Sequence, residues 1–160
     1  MVPDMGDDPK RTYLVVVDDS PEARVALRFA ARRATKTNGR IEVLGIVEPQ
    51  DFVQFGGVQA AIEEEQRLRI EGVVSSAIGE ILDEAGIEAH IIVQQGEAVR
   101  AVRDYVAGRE EIAALVLGAA PNGNPGPLVT NFAGADAGKL PCPVMIIPGS
   151  LSDERLEQLS

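Results

Sequence analysis

The stretch YLVVVDDSPEARVAL, residues 13–27, joins an apolar run to a sequence that starts a helix. The run at 13–17 has no polar alternation, which predicts a strand that is covered on both faces of a parallel sheet. Ser20 then supplies a helix N-cap and Pro21 the first helical position. Asn38-Gly39 ends the helix with residues that tolerate the left-handed conformation.

Four more apolar runs follow and alternate with amphipathic stretches. The predicted strands are 41–47, 88–94, 113–117 and 144–147, and the helices between them are 58–85, 98–108 and 131–140. The order β-α-β-α-β-α-β-α-β predicts an α/β fold, an open five-stranded parallel sheet with helices on both faces, of Rossmann-like type. The third strand alternates most clearly, so we expect it near a sheet edge.

Composition limits the possible functions. The chain has 160 residues, which suits one domain, and 25 Asp+Glu against 15 Lys+Arg give it a net charge of −10. An acidic surface repels nucleic acid and anionic lipid, and 4% aromatic residues without tryptophan provide no base-stacking platform. One cysteine cannot form a disulfide framework. We expect no nucleic-acid or membrane partner.

The two ends of the chain are polar and are predicted to lie outside the domain. Residues 1–11 are expected to form a disordered acidic tail, 12–148 the domain, and 149–160 a polar tail with weak helical character. The N-terminal stretch has no apolar core of a signal peptide, and no apolar run reaches the about 18–20 residues that span a bilayer. These features predict a cytoplasmic location.

In open α/β sheets ligands bind outside the carboxyl ends of the strands, where the strand order reverses. Asp18 and Asp19 follow the first strand directly. In one interpretation, one of their carboxylates accepts hydrogen bonds from ribose hydroxyls or holds a divalent cation beside phosphate. The other interpretation is a charged turn whose carboxylate caps the next helix. Position alone leaves both interpretations open.

The loop GAAPNGNPGPLVT, residues 118–130, follows the fourth strand. Gly123 and Gly126 permit positive φ, so that backbone N–H groups can converge on an anion. Thr130 and Asn131 stand at the predicted N-cap of the next helix, where free N–H groups favour phosphate. Against this, the loop has three prolines, which lack an N–H, and no Lys or Arg, as in a rigid connector.

The sequence offers no assembled catalytic machinery. His90 falls inside a predicted strand, and Cys142 is expected to be a small buried apolar residue without a histidine to activate it. We therefore predict no catalytic residues, no metal site and no enzymatic activity, with a weak ATPase activity left open.

Four segments in this order resemble the universal stress protein family: YLVVVDDSPEARVAL, IEVLGIVEP, LVLGA and LPCPVMIIPG. The resemblance covers about residues 12–148. The resemblance implies a fold like that of the adenine nucleotide alpha hydrolases. It also implies a homodimer that pairs through the last strand, at Val144, Met145, Ile146 and Ile147. Some members of the family bind ATP, with the first-strand Asp, here Asp18, beside the nucleotide and a backbone position near Ile46 or Val47 facing adenine.

In those members the phosphates rest in a loop of the form Gly-x2-Gly-x9-Gly-Ser/Thr. Counted from Gly118, the second glycine position is Pro121 and the final pair is Asn131-Phe132, so the ATP-binding motif is degenerate. The candidate nucleotide-binding residues are Asp18, Asp19, Ile46, Val47, Gly118, Gly123, Gly126, Thr130 and Asn131.

Two functions remain as hypotheses. The first is a dimeric stress-response protein that binds an adenine nucleotide, AMP or ATP (with Mg²⁺ if ATP), at the carboxyl ends of strands one, two and four. The second is a stress or signalling module that acts through protein contacts and binds no nucleotide.

Overall fold

The structure, a computed structural model, describes residues 11–49 and 56–160. Its elements in chain order are β1 (Thr12–Val16), α1 (Pro21–Thr37), β2 (Arg40–Val47), α2 (Gly56–Ala85), β3 (Ala89–Gln95), α3 (Ala98–Val106), β4 (Ile112–Ala119), α4 (Pro127–Phe132), β5 (Val144–Pro148) and α5 (Asp153–Leu159). The predicted acidic tail, apart from its last residue, lies outside the described residues. None of the helices in the described ranges is long and apolar enough to cross a membrane.

The strands of the described chain form one five-stranded sheet in the order β3-β2-β1-β4-β5. Every neighbouring pair is parallel. The predicted α/β class and the edge position of the third strand are therefore confirmed. The chain runs from β1 outward to β3 and then returns to β4 on the other side of β1. The strand order thus reverses between β1 and β4, which is where such folds bind ligands.

Apolar side chains cover the sheet on both faces, as the unbroken apolar runs predict. Successive residues of a strand point to opposite faces, and in β1 Leu14 and Val15 are both completely buried, each in a different core cluster. The first cluster joins the sheet to α1, α2 and α5, and the second joins it to α3 and α4. Phe132 is the largest fully buried side chain of the second cluster.

The first helix forms as its sequence predicts. The Ser20 hydroxyl accepts a hydrogen bond from the Ala23 N–H, and Pro21 occupies the first turn, where its missing N–H costs nothing. Asn38 ends the helix with φ 53°, a left-handed conformation that asparagine tolerates better than most residues.

Two boundaries near the C-terminal end differ from prediction. A helix over 131–140 is wrong: α4 begins at Pro127 and ends at Phe132, and turns follow it. Proline suits the first helical position, and Gly126, with φ +117°, provides the entry that other residues rarely adopt. The polar tail holds a regular helix, α5, because the Ser152 hydroxyl caps the Arg155 N–H and Leu156 is buried.

Candidate functional site

A cavity of about 240 Å³ opens at the carboxyl ends of β1, β2 and β4. We call it the strand-end cavity. Apolar residues such as Val16, Ile46 and Leu128 form much of its wall, and the acidic residues Asp18, Glu22 and Glu48 also line it. Its place beside the point where the strand order reverses is the usual ligand position in this class of sheet.

The strand-end cavity brings together part of the predicted nucleotide-binding set. The residues of that set that line it are Asp18, Ile46, Gly118 and Gly126. The others stand elsewhere in the described chain, outside the wall: Asp19, Val47, Gly123, Thr130 and Asn131. Most of the predicted residues at the strand ends therefore line the strand-end cavity, whereas most of those in the loop after β4 do not.

Asp18 lines the strand-end cavity and also accepts hydrogen bonds within the turn after β1. Its Oδ1 accepts the backbone N–H of Ser20 at 2.9 Å and the Ser20 hydroxyl at 2.5 Å. The same hydroxyl accepts the Ala23 N–H at 3.3 Å, so Asp18 organises the cap of α1 indirectly. Both bonds use Oδ1. Among the described contacts, Oδ2 is left for a ligand hydroxyl, so the two interpretations of Asp18 are compatible.

Asp19 points to a different neighbour. Its Oδ2 lies 2.8 Å from Nη2 of Arg69 on α2, and both side chains are largely exposed. An exposed pair of this kind is screened by water and contributes little to stability. Asp19 is therefore a surface ion-pair partner of α2, and it is separated from the cavity that its neighbour lines.

Gly118 is explained by packing. A Cβ built there would lie 2.2 Å from the backbone oxygen of Glu22 and 2.6 Å from its carbonyl carbon. Only glycine lets the end of β4 approach the first turn of α1 this closely. Gly123 and Gly126 have φ values of +72° and +117°, so the predicted positive φ is confirmed at both.

Thr130 and Asn131 do not cap a helix, so that part of the prediction is wrong. They lie in the second half of α4, whose N-cap is Gly126. The Gly126 N–H is donated to Asn124 Oδ1 at 3.0 Å, which also lies 3.5 Å from the Thr130 hydroxyl. The side-chain oxygen of Asn124 thus occupies a donor that a phosphate would need.

Asn131 instead connects α4 to α3. Its amide donates to Asp136 Oδ2 at 2.6 Å, and Arg103 of α3 bonds the same carboxylate oxygen. The hydrogen bonds from Asn131 first and Arg103 second lower the pKa of Asp136, and the Asp136 carboxylate in turn raises the pKa of Arg103. An Asn131 amide held in this way is a structural group.

The electrostatics of the strand-end cavity are acidic. No Lys, Arg or His belongs to its wall within the described ranges, whereas three acidic residues do. Glu48 also accepts the Ala98 N–H, over a long 3.4 Å, at the start of α3. The sequence reasoning missed Glu22 and Glu48, although Glu22 lies in the first turn after β1 and Glu48 directly follows β2. Their topological position was the signal that could have found them.

The other residue types that often carry chemistry, metal ligands and cysteine, form no cluster in the described part of the chain. The described part of the chain has no group of three His, Cys, Asp or Glu side chains placed to hold a metal ion. Cys142 is partly buried, and desolvation raises the pKa of its thiol, which keeps the sulfur in the less reactive protonated form.

An open parallel sheet with a crevice at its switch point is the architecture of a doubly wound α/β protein. A family model described as "Universal stress protein family" matches residues 10–148. The chain belongs to the universal stress protein family. A comparison with the sequences of curated proteins gives no match.

Solved structures share the fold at low identity. Universal stress protein UspA from Lactobacillus plantarum is 18% identical with a TM-score of 0.71, covering 88% of this chain and 99% of that one. The universal stress protein from Archaeoglobus fulgidus in complex with dAMP is 21% identical with a TM-score of 0.60, covering 88% and 99%. A family protein from Arabidopsis thaliana with AMP bound is 16% identical with a TM-score of 0.57, covering 90% and 94%.

Proposed function

We propose that this chain is a homodimeric, cytoplasmic stress-response protein that binds an adenine nucleoside monophosphate in the strand-end cavity and does not turn it over. The observation that carries the proposal is the cavity itself, which sets the Asp18 carboxylate beside an apolar wall at the ends of β1, β2 and β4. Structural neighbours support the ligand class, since one holds dAMP and another AMP.

The wall suits the two halves of a nucleoside. Val16, Ile46 and Leu128 offer apolar surface for a flat base, and the backbone of Ile46 is the expected partner of its polar edge. Val47 is excluded from this role, because it lies outside the wall and its carbonyl oxygen accepts the Gly96 N–H at 3.0 Å. Asp18 Oδ2 is the acceptor for ribose hydroxyls. A charge-assisted hydrogen bond of this kind contributes about 1.5–3 kcal/mol. The adenosine part of the ligand therefore supplies most of the contacts.

Size and charge favour a monophosphate over a triphosphate. A volume of about 240 Å³ lies just below the about 300–1,000 Å³ of typical small-molecule sites. Each added phosphate would enter a field set by Asp18, Glu22 and Glu48, with no cation in the described wall. Like charges repel strongly where water is partly excluded. ATP would need Mg²⁺ to neutralise its charge.

The test is calorimetric titration with adenosine, AMP and ATP, the last with and without Mg²⁺. We expect AMP to bind, ATP to bind more weakly, and Mg²⁺ to restore part of that difference. Two neighbouring substitutions form a matched pair, because Asp18 lines the cavity and Asp19 pairs with Arg69. Asp18→Asn keeps an oxygen for Ser20 and should weaken AMP binding roughly 10- to 100-fold, the loss of one charge-assisted bond.

Asp19→Asn should leave the affinity for AMP unchanged. Equal effects of the two substitutions, or no heat with any of the ligands, would reject the nucleotide proposal. Incubation with ATP and measurement of released phosphate tests the absence of turnover in the same samples.

The acidic wall favours a second candidate function, a module that acts through protein contacts and binds no nucleotide. Acid release and chromatography of the purified protein separate the two candidates. Stoichiometric co-purified adenine nucleotide contradicts the second candidate, whereas its absence together with silent calorimetry supports it.

The proposed dimer forms through β5, an edge strand of the sheet. Ile146 is exposed there by 38%, and Val144 and Met145 are half-buried while Ile147 is buried. An uncovered apolar edge strand tends to pair with another chain. β3, the opposite edge, provides a control, since its Ile91 is exposed by 39%. Ile146→Lys should convert a dimer to monomers in sedimentation experiments, whereas Ile91→Lys should not. A monomeric parent protein would refute the dimer.

A further inference from the structure

A second cavity, of about 480 Å³, lies at the amino ends of β1, β2 and β3, at the other end of the sheet from the strand-end cavity. We call it the amino-end cavity. Residues that line it include Thr12, Arg40, Glu42, His90, Arg109 and Glu111. Its volume falls inside the range of about 300–1,000 Å³ that small-molecule sites occupy.

Glu42 is the central residue of this cavity. It stands on β2, is only 7% exposed, and carries its carboxylate into a partly buried cluster. Its Oε1 accepts the Tyr105 hydroxyl at 2.9 Å and Arg109 Nη2 at 3.0 Å. The Arg109 guanidinium also stacks over the Tyr105 ring, 4.6 Å from its centre. One oxygen of Glu42 is therefore fully used.

The other oxygen is not used. Glu42 Oε2 is buried and has no hydrogen-bond partner within the described chain. Buried polar atoms are nearly always paired, and an unpaired oxygen of a carboxylate is especially costly. The atom lacks a donor, and the residue that carries it lines an open cavity.

The carboxylates around the amino-end cavity also outnumber the guanidinium groups by one. Arg109 serves two carboxylates, since its Nη2 lies 2.7 Å from Glu111 Oε1 as well as 3.0 Å from Glu42. Glu88 is a third carboxylate in the wall, and Arg40 is the second guanidinium. Among the Glu and Arg residues of the described wall, three negative groups face two positive ones, which leaves one negative charge uncompensated.

We propose that the amino-end cavity binds a primary ammonium group, which donates an N–H to Glu42 Oε2 and neutralises the cluster. A metal ion is a poorer match, because no three metal-binding side chains converge within the described ranges. A guanidinium is poorer too, since it recognises two carboxylate oxygens at once and Oε1 already accepts two bonds. A compact ammonium needs one oxygen.

The chain contains a single histidine, and it reports on this site. His90 on β3 is the register partner of Glu42 in the parallel ladder, so its imidazole proton resonance belongs to one residue beside the cavity. The probes are n-butylammonium, which has charge and N–H donors, and tetramethylammonium, which has charge without a donor. A peptide lysine is represented by Nα-acetyl-lysine amide, and comparison with n-butylammonium separates a free amine from a protein partner.

We expect a saturable shift of the His90 resonance with n-butylammonium and a non-saturating one with tetramethylammonium. Glu42→Gln keeps the side-chain size and should weaken binding roughly 10- to 100-fold, the worth of a charge-assisted hydrogen bond. Glu154→Gln, on α5 and outside the wall, is the control and should change nothing. Equal responses to the two ions, or an unchanged affinity in Glu42→Gln, overturn the proposal.

A second variant keeps the proposal testable if Glu42→Gln does not fold. Tyr105→Phe removes one donor from Glu42 Oε1 and leaves the carboxylate in place. The carboxylate then has fewer internal partners, and n-butylammonium should bind several-fold more tightly. An affinity that falls in Tyr105→Phe contradicts the role assigned to Glu42.

Discussion

Replacement of Gly118 by alanine tests how the strand-end cavity is built. The new Cβ would lie 2.2 Å from the Glu22 backbone oxygen and 3.1 Å from the Ala23 nitrogen, distances that no side-chain rotation can relieve. The end of β4 and the first turn of α1 must therefore move apart. Overpacking usually costs about 1–3 kcal/mol, and a clash between two backbones should reach the upper end, about 3 kcal/mol.

Thermal and urea unfolding of Gly118→Ala measure this cost. For a chain of this size about 3 kcal/mol lowers the Tm by roughly 6–12 °C. The control is Gly72→Ala, because Gly72 lies within α2, where a Cβ would meet nothing within 4 Å. Alanine there should stabilise the protein by about 0.5–1 kcal/mol. A loss below about 1 kcal/mol in Gly118→Ala would refute the packing argument.

Three further predictions concern single side chains. Ser20→Ala removes the cap of α1 and should cost about 1 kcal/mol in urea unfolding. Burial and then the hydrogen bond to Glu42 raise the pKa of Tyr105 to about 12, so the stability that protonated Tyr105 contributes is lost as the pH rises from 10 to 12. Glu42→Gln should lower the pKa of Tyr105 in an ultraviolet titration. The pKa of Asp136 is lowered from 3.8, chiefly by Asn131. Its contribution to stability is thus present above pH 3.8 and lost below it, and Asp136→Asn should unfold with a flatter pH profile in that range.

Much of the fold follows from local sequence signals. The run at 13–17 lacks polar alternation because Leu14 and Val15 enter different cores, and the same signal locates the other inner strands. Ser20 and Pro21 start α1 by bonds that lie within a few residues. Because such contacts join residues that are close in sequence, a local sequence pattern is sufficient to predict them.

The candidate site was harder to predict because its contacts are made between distant segments. Asp19 directly follows Asp18 and has the same side chain, yet it pairs with Arg69 of α2, fifty residues away in the sequence. Gly118 is required by Glu22, which only the folded sheet brings near. Glu42 gave no signal as an isolated acidic residue in an apolar strand, since its partners Tyr105 and Arg109 follow more than sixty residues later.

The position of α4 has the largest consequence for function. Pro127 starts this helix four residues earlier than 131, which moves Thr130 and Asn131 from its entry into its body. Asn131 then bonds Asp136, and the N–H of Gly126 is taken by Asn124. The loop that would hold phosphates is closed by its own hydrogen bonds, whereas the strand ends keep an apolar wall and a carboxylate. A site of this form favours the nucleoside half of a nucleotide, so adenosine should bind at least as tightly as AMP.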